Sequence, residues 1–319
     1  MSYDRMISSL ARKLEAGEPL EALTTGLSGA ELQSLLLHVF RQRSRQRTPA
    51  ELLRQYERVP MVQPAHPDPR ALLEVEAAAF AAAEGFEGVE LSPVAPLGIN
   101  QVLGQIDQNN CLATIRSSEV LADPTTATAL ECARRRRAGE AGTIRLCSRS
   151  RQLRLQPLPP GAAWVPHFLL FSLVTAGRDR GSYAFEVEHL LDHLRVYVNL
   201  LVGLRAHGYT IGPLDVRLSD TERDSRRLAL AERAVLGPLA EEFPQETFRL
   251  DPEREQAQNY YQGLCLGIYA ADNSGDFHNM ADGGFTDWTQ RLLSNAKERL
   301  LVTALGLERL AMLFRPASG

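Results

Sequence analysis

The run "HFLLFSLVTAG", His167–Gly177, constrains the fold more than any other stretch. Its apolar residues are continuous rather than spaced by threes and fours, so it reads as a buried strand. Upstream, "TIRLCSRS" and "QLRLQPL" alternate polar and apolar residues, the period of a strand with one buried face. "NCLATIR", "PLDVRLSD" and "YYQGLCLGIYA" add further strand candidates, and "GVELSPVAPLG" a short one stopped by Pro93 and Pro96. Between them lie a few long helices: "ALLEVEAAAFAAAEGF", ending near Gly85, "ADPTTATALECARRRR", opened by Asp123 and Thr125, and Tyr183–Gly208. "GGFTDWTQRLLSNAKERLL" reads as a glycine turn feeding a helix, and "VTALGLERLAMLF" as a strand end entering another. Strands at hairpin spacing with few long helices predict an α+β fold, a mostly antiparallel sheet flanked by helices.

Ahead of this core the pattern is different. "SGAE" at Ser28–Glu31 and "TPAE" at Thr48–Glu51 are capping boxes, the second with Pro49 in the first helical position. Leu32, Leu35, Leu36, Val39 and Phe40 recur at helical spacing between them. Residues 1–58 therefore read as a small helical module. "VPMVQPAHPDPR", 59–70, packs four prolines into twelve residues and reads as a linker or wrapping extended arm. The core is expected over 71–319, with a helical insertion at about 221–258, where the chain turns polar and charged.

Composition narrows the class. A chain of 319 residues with 44% hydrophobic content can bury a substantial core. Its net charge of -4 argues against a generally basic nucleic-acid binder. Cys111, Cys132, Cys147 and Cys265 show no CxxC spacing, which suits reduced thiols rather than a disulfide frame or zinc site. No leader-like apolar segment or membrane-length run occurs, so a soluble, cytoplasmic protein is expected. Eight arginines crowd Ala133–Gln156; they could contact RNA or polyphosphate, or form a solvated helix end against the helix dipole. "EHLLDH" sets His189 and His193 four apart with Asp192 nearby, yet no third metal ligand suggests itself, so a surface helix is expected and no metal site. His278 sits in a loop near the segments discussed next.

The order of parts from Ala71 to Phe314 resembles the catalytic core of class II aminoacyl-tRNA synthetases, most closely the histidyl-tRNA synthetase branch and its paralogues. "ALLEVEAAAFAAAEGFEGVELSP" is similar to the family's first signature, with Pro93 in the place of its dimer-interface proline. "LRLQPLPPGAAWVPHF" is similar to the second, with Arg154 at the arginine and Gln156 where a glutamate is usual. "ALGLERL" is similar to the third, with Glu308 and Arg309 entering the helix. "YYQGLCLGIYA" supplies the paired tyrosines Tyr260 and Tyr261, "DGGFTDW" the glycine turn with Gly283, Gly284 and Asp287, and "ADPTT" the pocket acid and threonine as Asp123 and Thr125.

The resemblance implies a site for ATP and Mg²⁺, with Arg154 on the α-phosphate and Arg309 at the γ end. Arginine suits both places because its planar fork forms charged, bidentate hydrogen bonds. Asp123 would bind a substrate ammonium, or else cap its helix. The departures imply a changed substrate. The histidine-selecting arginine falls at Gln256, and the polar pocket pair at Leu170 and Val174. Losing those hydrogen bonds argues against charging tRNA with histidine and suggests a less polar acid. The sequence ends ten residues after Arg309, and no C-terminal anticodon-binding domain is expected.

Two functions follow from this resemblance. One is ATP-dependent activation of a carboxylic or amino acid as its adenylate. The other is a non-catalytic, ligand-sensing role resembling the regulatory subunit of ATP phosphoribosyltransferase. Magnesium would separate them, with Glu186, Glu188 and Asp287 as the acidic candidates. A homodimer through the Pro93 region is expected, and the N-terminal module could meet a protein or RNA partner.

Overall fold

The computed structural model describes residues 9, 12, 19–156, 166–254 and 260–314. Both capping boxes form. Ser28 accepts from the Glu31 N–H while Glu31 returns to the Ser28 N–H, opening α1 (Gly29–Arg45). Thr48 and Glu51 do the same for α2 (Pro49–Arg58). None of the described side chains of either helix is buried. The proline-rich arm then runs to Asp68, which caps α3 (Pro69–Ala82) through the Arg70 N–H.

Among the described residues ten strands follow: β1 (Glu87–Gly88), β2 (Val94–Pro96), β3 (Ser118–Val120), β4 (Ile144–Leu153), β5 (His167–Arg178), β6 (Leu214–Asp220), β7 (Thr247–Leu250), β8 (Leu264–Ala271), β9 (Phe277–Thr286) and β10 (Glu298–Gly306). β2 and β3 pair with each other, and the rest form one sheet in the order β1-β4-β5-β10-β9-β8-β6-β7. Its six inner strands are antiparallel throughout, and only the edge strands β1 and β7 run parallel to their neighbours. Among the described residues the longer helices here are α4 (Pro124–Arg137), α5 (Ala184–Ala206), α6 (Trp288–Leu293) and α7 (Leu307–Leu313), with a helical segment at Ser225–Glu242 and a single turn at Ile99–Val102.

The sheet is covered on both faces. α3, α5 and α7 pack on one through Val75, Leu190, Leu194, Leu201 and Leu310, against Phe171, Leu173 and Leu305. On the other, Ala129 and Cys132 of α4 and Trp288 of α6 cover Ile144, Leu146, Val174, Ala176, Leu300 and Val302. No helix among the described residues is long and apolar enough to cross a membrane.

Several elements differ from their sequence reading. "TIRLCSRS" and the start of "QLRLQPL" are one continuous strand, β4, because it pairs without a break from Ile144↔Ala176 to Leu153↔His167. "NCLATIR" makes only an isolated bridge at Ala113↔Glu119, and the ladder lies just beyond it in β3. The polar insertion ends in β7, a half-exposed edge strand whose alternation was hidden among charges. Gly283 and Gly284 lie inside β9 rather than in a turn. Close packing accounts for both: a Cβ on Gly283 would meet Thr303 Cγ2 at 2.3 Å, and one on Gly284 the Tyr261 ring at 2.7 Å.

"EHLLDH" is not a surface feature either, since His189 and His193 are 2% and 0% exposed. His193 lies between two threonines, with Nε2 2.8 Å from Thr175 Oγ1 and Nδ1 2.9 Å from Thr303 Oγ1. The Tyr197 hydroxyl is 2.9 Å from the same Thr303 Oγ1. Burial drives the His193 pKa well below its ordinary range, so the ring is neutral and stitches α5 to the sheet.

Candidate functional site

At the Leu170 end of β5 and the Gly306 end of β10 the layer of α4 and α6 stops, and the exposed sheet face forms the floor of a cavity of about 710 Å³. Nine residues singled out in the sequence line it: Asp123, Thr125, Arg154, Gln156, Leu170, Tyr260, Tyr261, Glu308 and Arg309. His66 and Pro67 of the proline-rich arm contribute to its wall. That arm is fastened by His167, whose Nε2 lies 2.6 Å from the Gln63 carbonyl.

Asp123 sits where a strand-like turn enters α4. Its Oδ1 accepts from the Thr125 N–H at 2.9 Å and the Thr125 hydroxyl at 2.6 Å, so it caps the helix. Its Oδ2 accepts from the Tyr260 hydroxyl at 3.1 Å. Capping and cavity-lining are therefore compatible at this residue. Tyr260 and Tyr261 precede β8 in a turn rather than alternating along it, and both face the cavity, their rings edge to face at 4.8 Å. Burial holds both phenols well above their ordinary pKa, so they act as neutral donors.

Arg154 lies just past the end of β4. Its Nη2 donates to the Ala122 carbonyl at 2.8 Å, and its guanidinium is 5.7 Å from the Phe168 ring centre. Its Nε is buried with no hydrogen-bond partner among the described residues. Arg309 enters from α7, donates to the Asn279 carbonyl, and is drawn below the ordinary guanidinium range by burial. Glu308 lines the cavity but pairs with Arg151 at 2.5 Å.

Other candidates lie elsewhere. Val174 is buried under α4 and α6, beyond the cavity. Gly283 and Gly284 are packed in the sheet, Asp287 stands at the start of α6 within 3.6 Å of Arg291, and Gln256 lies outside the described residues. His278 pairs with Asp272 at 2.7 Å and does not line the cavity. Glu186 binds Arg299 and Glu188 binds Arg180, both away from it.

Sequence reasoning missed Asp282. It projects from β9 into the cavity, and Arg254 Nη2 bridges its two oxygens at 3.0 and 2.8 Å. Burial raises its pKa from the ordinary carboxylate range, opposed by Arg254. The one signal available was the aspartate immediately before the glycine pair.

The arginine-rich run is consumed internally. Arg134, Arg135, Arg136, Arg145, Arg149 and Arg151 form ion pairs with Glu131, Glu87, Glu298, Asp192, Glu76 and Glu308, and Arg137 and Arg154 bind carbonyls. Among the described residues no group of three or more His, Cys, Asp or Glu could hold a metal ion.

No protein-family model matches the chain. No curated protein matches it either. Solved structures do resemble it. A histidyl-tRNA synthetase from S. aureus superposes with a TM-score of 0.55 at 14% identity, over 76% of this chain and 64% of that one. The chain thus spans less than two thirds of that enzyme. A histidine–tRNA ligase subunit from Alicyclobacillus acidocaldarius gives 0.56 at 15% identity, over 80% and 96%. A Bacillus halodurans protein described as an ATP phosphoribosyltransferase regulatory subunit/histidyl-tRNA synthetase gives 0.54 at 11%, over 76% and 78%. At such identities the likeness establishes the architecture alone, and the chain has the fold of the class II synthetase catalytic core.

Proposed function

We propose that the cavity binds ATP together with an amino acid or another carboxylic acid and joins them as an acyl-adenylate. A carboxylate oxygen attacks the α-phosphorus, the bond to the β-phosphate oxygen breaks, and pyrophosphate leaves. The observation that carries this reading is the convergence of Arg154 and Arg309 on one cavity that also holds Asp123, Thr125 and Tyr260.

The residues present suit the nucleotide. Arg154 offers a buried Nε–H without a partner among the described residues, a donor that an α-phosphate oxygen would complete. Arg309 would meet the far phosphates, and the two guanidinia would stabilise charge developing in the displacement. Phe168 presents a ring on which a base can stack, and Gln156 a side-chain amide for hydrogen bonding. Asp123, fixed by Thr125 and Tyr260, would bind the substrate ammonium. Among the described residues no group of three or more His, Cys, Asp or Glu could hold Mg²⁺, which one or two carboxylates together with the phosphates of ATP commonly hold.

A second reading is a ligand-sensing paralogue without catalysis. It is favoured by Gln156, which supplies no charge where the resemblance places a glutamate. Both readings suit a cytoplasmic homodimer joined through the Pro93 region, where Val94 and Leu97 are exposed. α1 and α2 would be the place for a protein or RNA partner.

Calorimetric titration of ATP into wild type, Arg154→Ala and Arg309→Ala tests the nucleotide half. Binding that either substitution weakens by tenfold or more supports the proposal, and equal binding by all three counts against it.

A further inference from the structure

Asp282 is a poor choice for a surface that only needs to be filled. Its cross-strand neighbours are Ala304 and Gly267, so no side chain beside it in the sheet shields it from the cavity. Arg254, its partner, is 8% exposed and is held by the Leu266 carbonyl at 2.8 Å. Burying such a pair costs desolvation that its mutual attraction only partly returns. The guanidinium approaches from one side and the Tyr261 hydroxyl also hydrogen-bonds the carboxylate, which is still 36% exposed toward the cavity. An apolar ligand group placed there would strip that water and return no hydrogen bond.

Resting on the reading that this cavity activates an acid, we infer that the acid carries a hydrogen-bond donor on its side chain, and that Asp282, positioned by Arg254, recognises it. Asp123 with Tyr260 then takes the α-ammonium and Asp282 the side chain, the two carboxylates being linked through Tyr260, its ring contact with Tyr261, and the Tyr261 hydrogen bond to Asp282. This reverses the expectation of a less polar substrate drawn from Leu170 and Val174. Val174 is not in the cavity, and the polar group that matters comes from β9 instead of β5.

The test is calorimetric titration of the full chain, without nucleotide, with norleucine, glutamine and ornithine. These are similar in length and differ in side-chain donor. Glutamine or ornithine should bind roughly 10- to 100-fold more tightly than norleucine. Asp282→Asn should reduce that ratio. Because it leaves Arg254 buried without its counter-charge, the paired variant Asp282→Leu/Arg254→Met serves as the second measurement. There norleucine should bind at least as well as the others. Equal binding of all three probes by wild type, a preference unchanged in both variants, or no binding by any probe would overturn the inference. Discrimination among the probes without any ATP binding would leave Asp282 its role and remove adenylation instead.

Discussion

The Tyr260 hydroxyl donates to Asp123 Oδ2 at 3.1 Å, tying the start of α4 to the turn before β8 across 137 residues of chain. One carboxylate thereby serves as helix cap and cavity acid at once. The two roles separate by substitution. Asp123→Asn keeps the cap, since asparagine caps about as well as aspartate, and removes the charge. Amino-acid affinity should fall by tenfold or more in titration, while urea denaturation shifts by less than about 0.5 kcal/mol. Asp123→Ala should lose affinity and also about 1 kcal/mol of stability.

Gly283 is required by packing and not by catalysis. Its absent Cβ would lie 2.3 Å from Thr303 Cγ2 and 2.6 Å from the Val302 carbonyl. Gly283→Ala should therefore destabilise the fold by about 1–3 kcal/mol, read as a lower denaturation midpoint. An unchanged midpoint would show that β9 and β10 can separate more easily than their pairing suggests.

His193 makes stability fall in acid. Burial depresses its folded pKa below the ordinary value of 6.5, so the unfolded chain takes up the proton first. The neutral ring's contribution is fully present above that value and declines as pH drops through and below it, by up to about 1.4 kcal/mol per pH unit. His189 and Arg145 press in the same direction, and Asp192 opposes them. Denaturation curves at pH 8, 6.5 and 5.5 should show this slope in wild type and a shallower one in His193→Gln.

Removing residues 1–58 should leave the remainder folded. No described side chain of α1 or α2 is fully buried, and Phe40, Leu52 and Leu53 are more than half exposed. The truncated chain should melt within about 3 °C of the full one, less than 1–2 kcal/mol at this size. A loss of cooperative melting would make the module part of the core.

The features legible in sequence are those fixed by local chemistry. Ser28–Glu31 and Thr48–Glu51 announce their helices because both halves of each capping box lie within one turn. The apolar run at Phe168–Val174, interrupted at Ser172, reads as a buried strand. Arg309 stands out through the resemblance of "ALGLERL" to the family's third signature, a strand and glycine entering a helix, and it lines the cavity. What escaped depends on partners far along the chain. Arg254 reaches Asp282 across 28 residues, and Arg136 reaches Glu298 across 162, so neither pair leaves a local pattern. Leu170 and Val174 share a face of β5, yet only Leu170 meets the cavity, because where α4 ends cannot be read from strand periodicity.

The most direct measurement is ATP–pyrophosphate exchange, run with a panel of amino and carboxylic acids on wild type, Arg154→Ala and Arg309→Ala. Exchange that requires one acid of the panel and falls at least 100-fold in each variant, with melting temperatures preserved, is the predicted result. No exchange with any acid, together with ATP binding indifferent to both arginines, would contradict adenylation and leave a class II fold serving as a sensor.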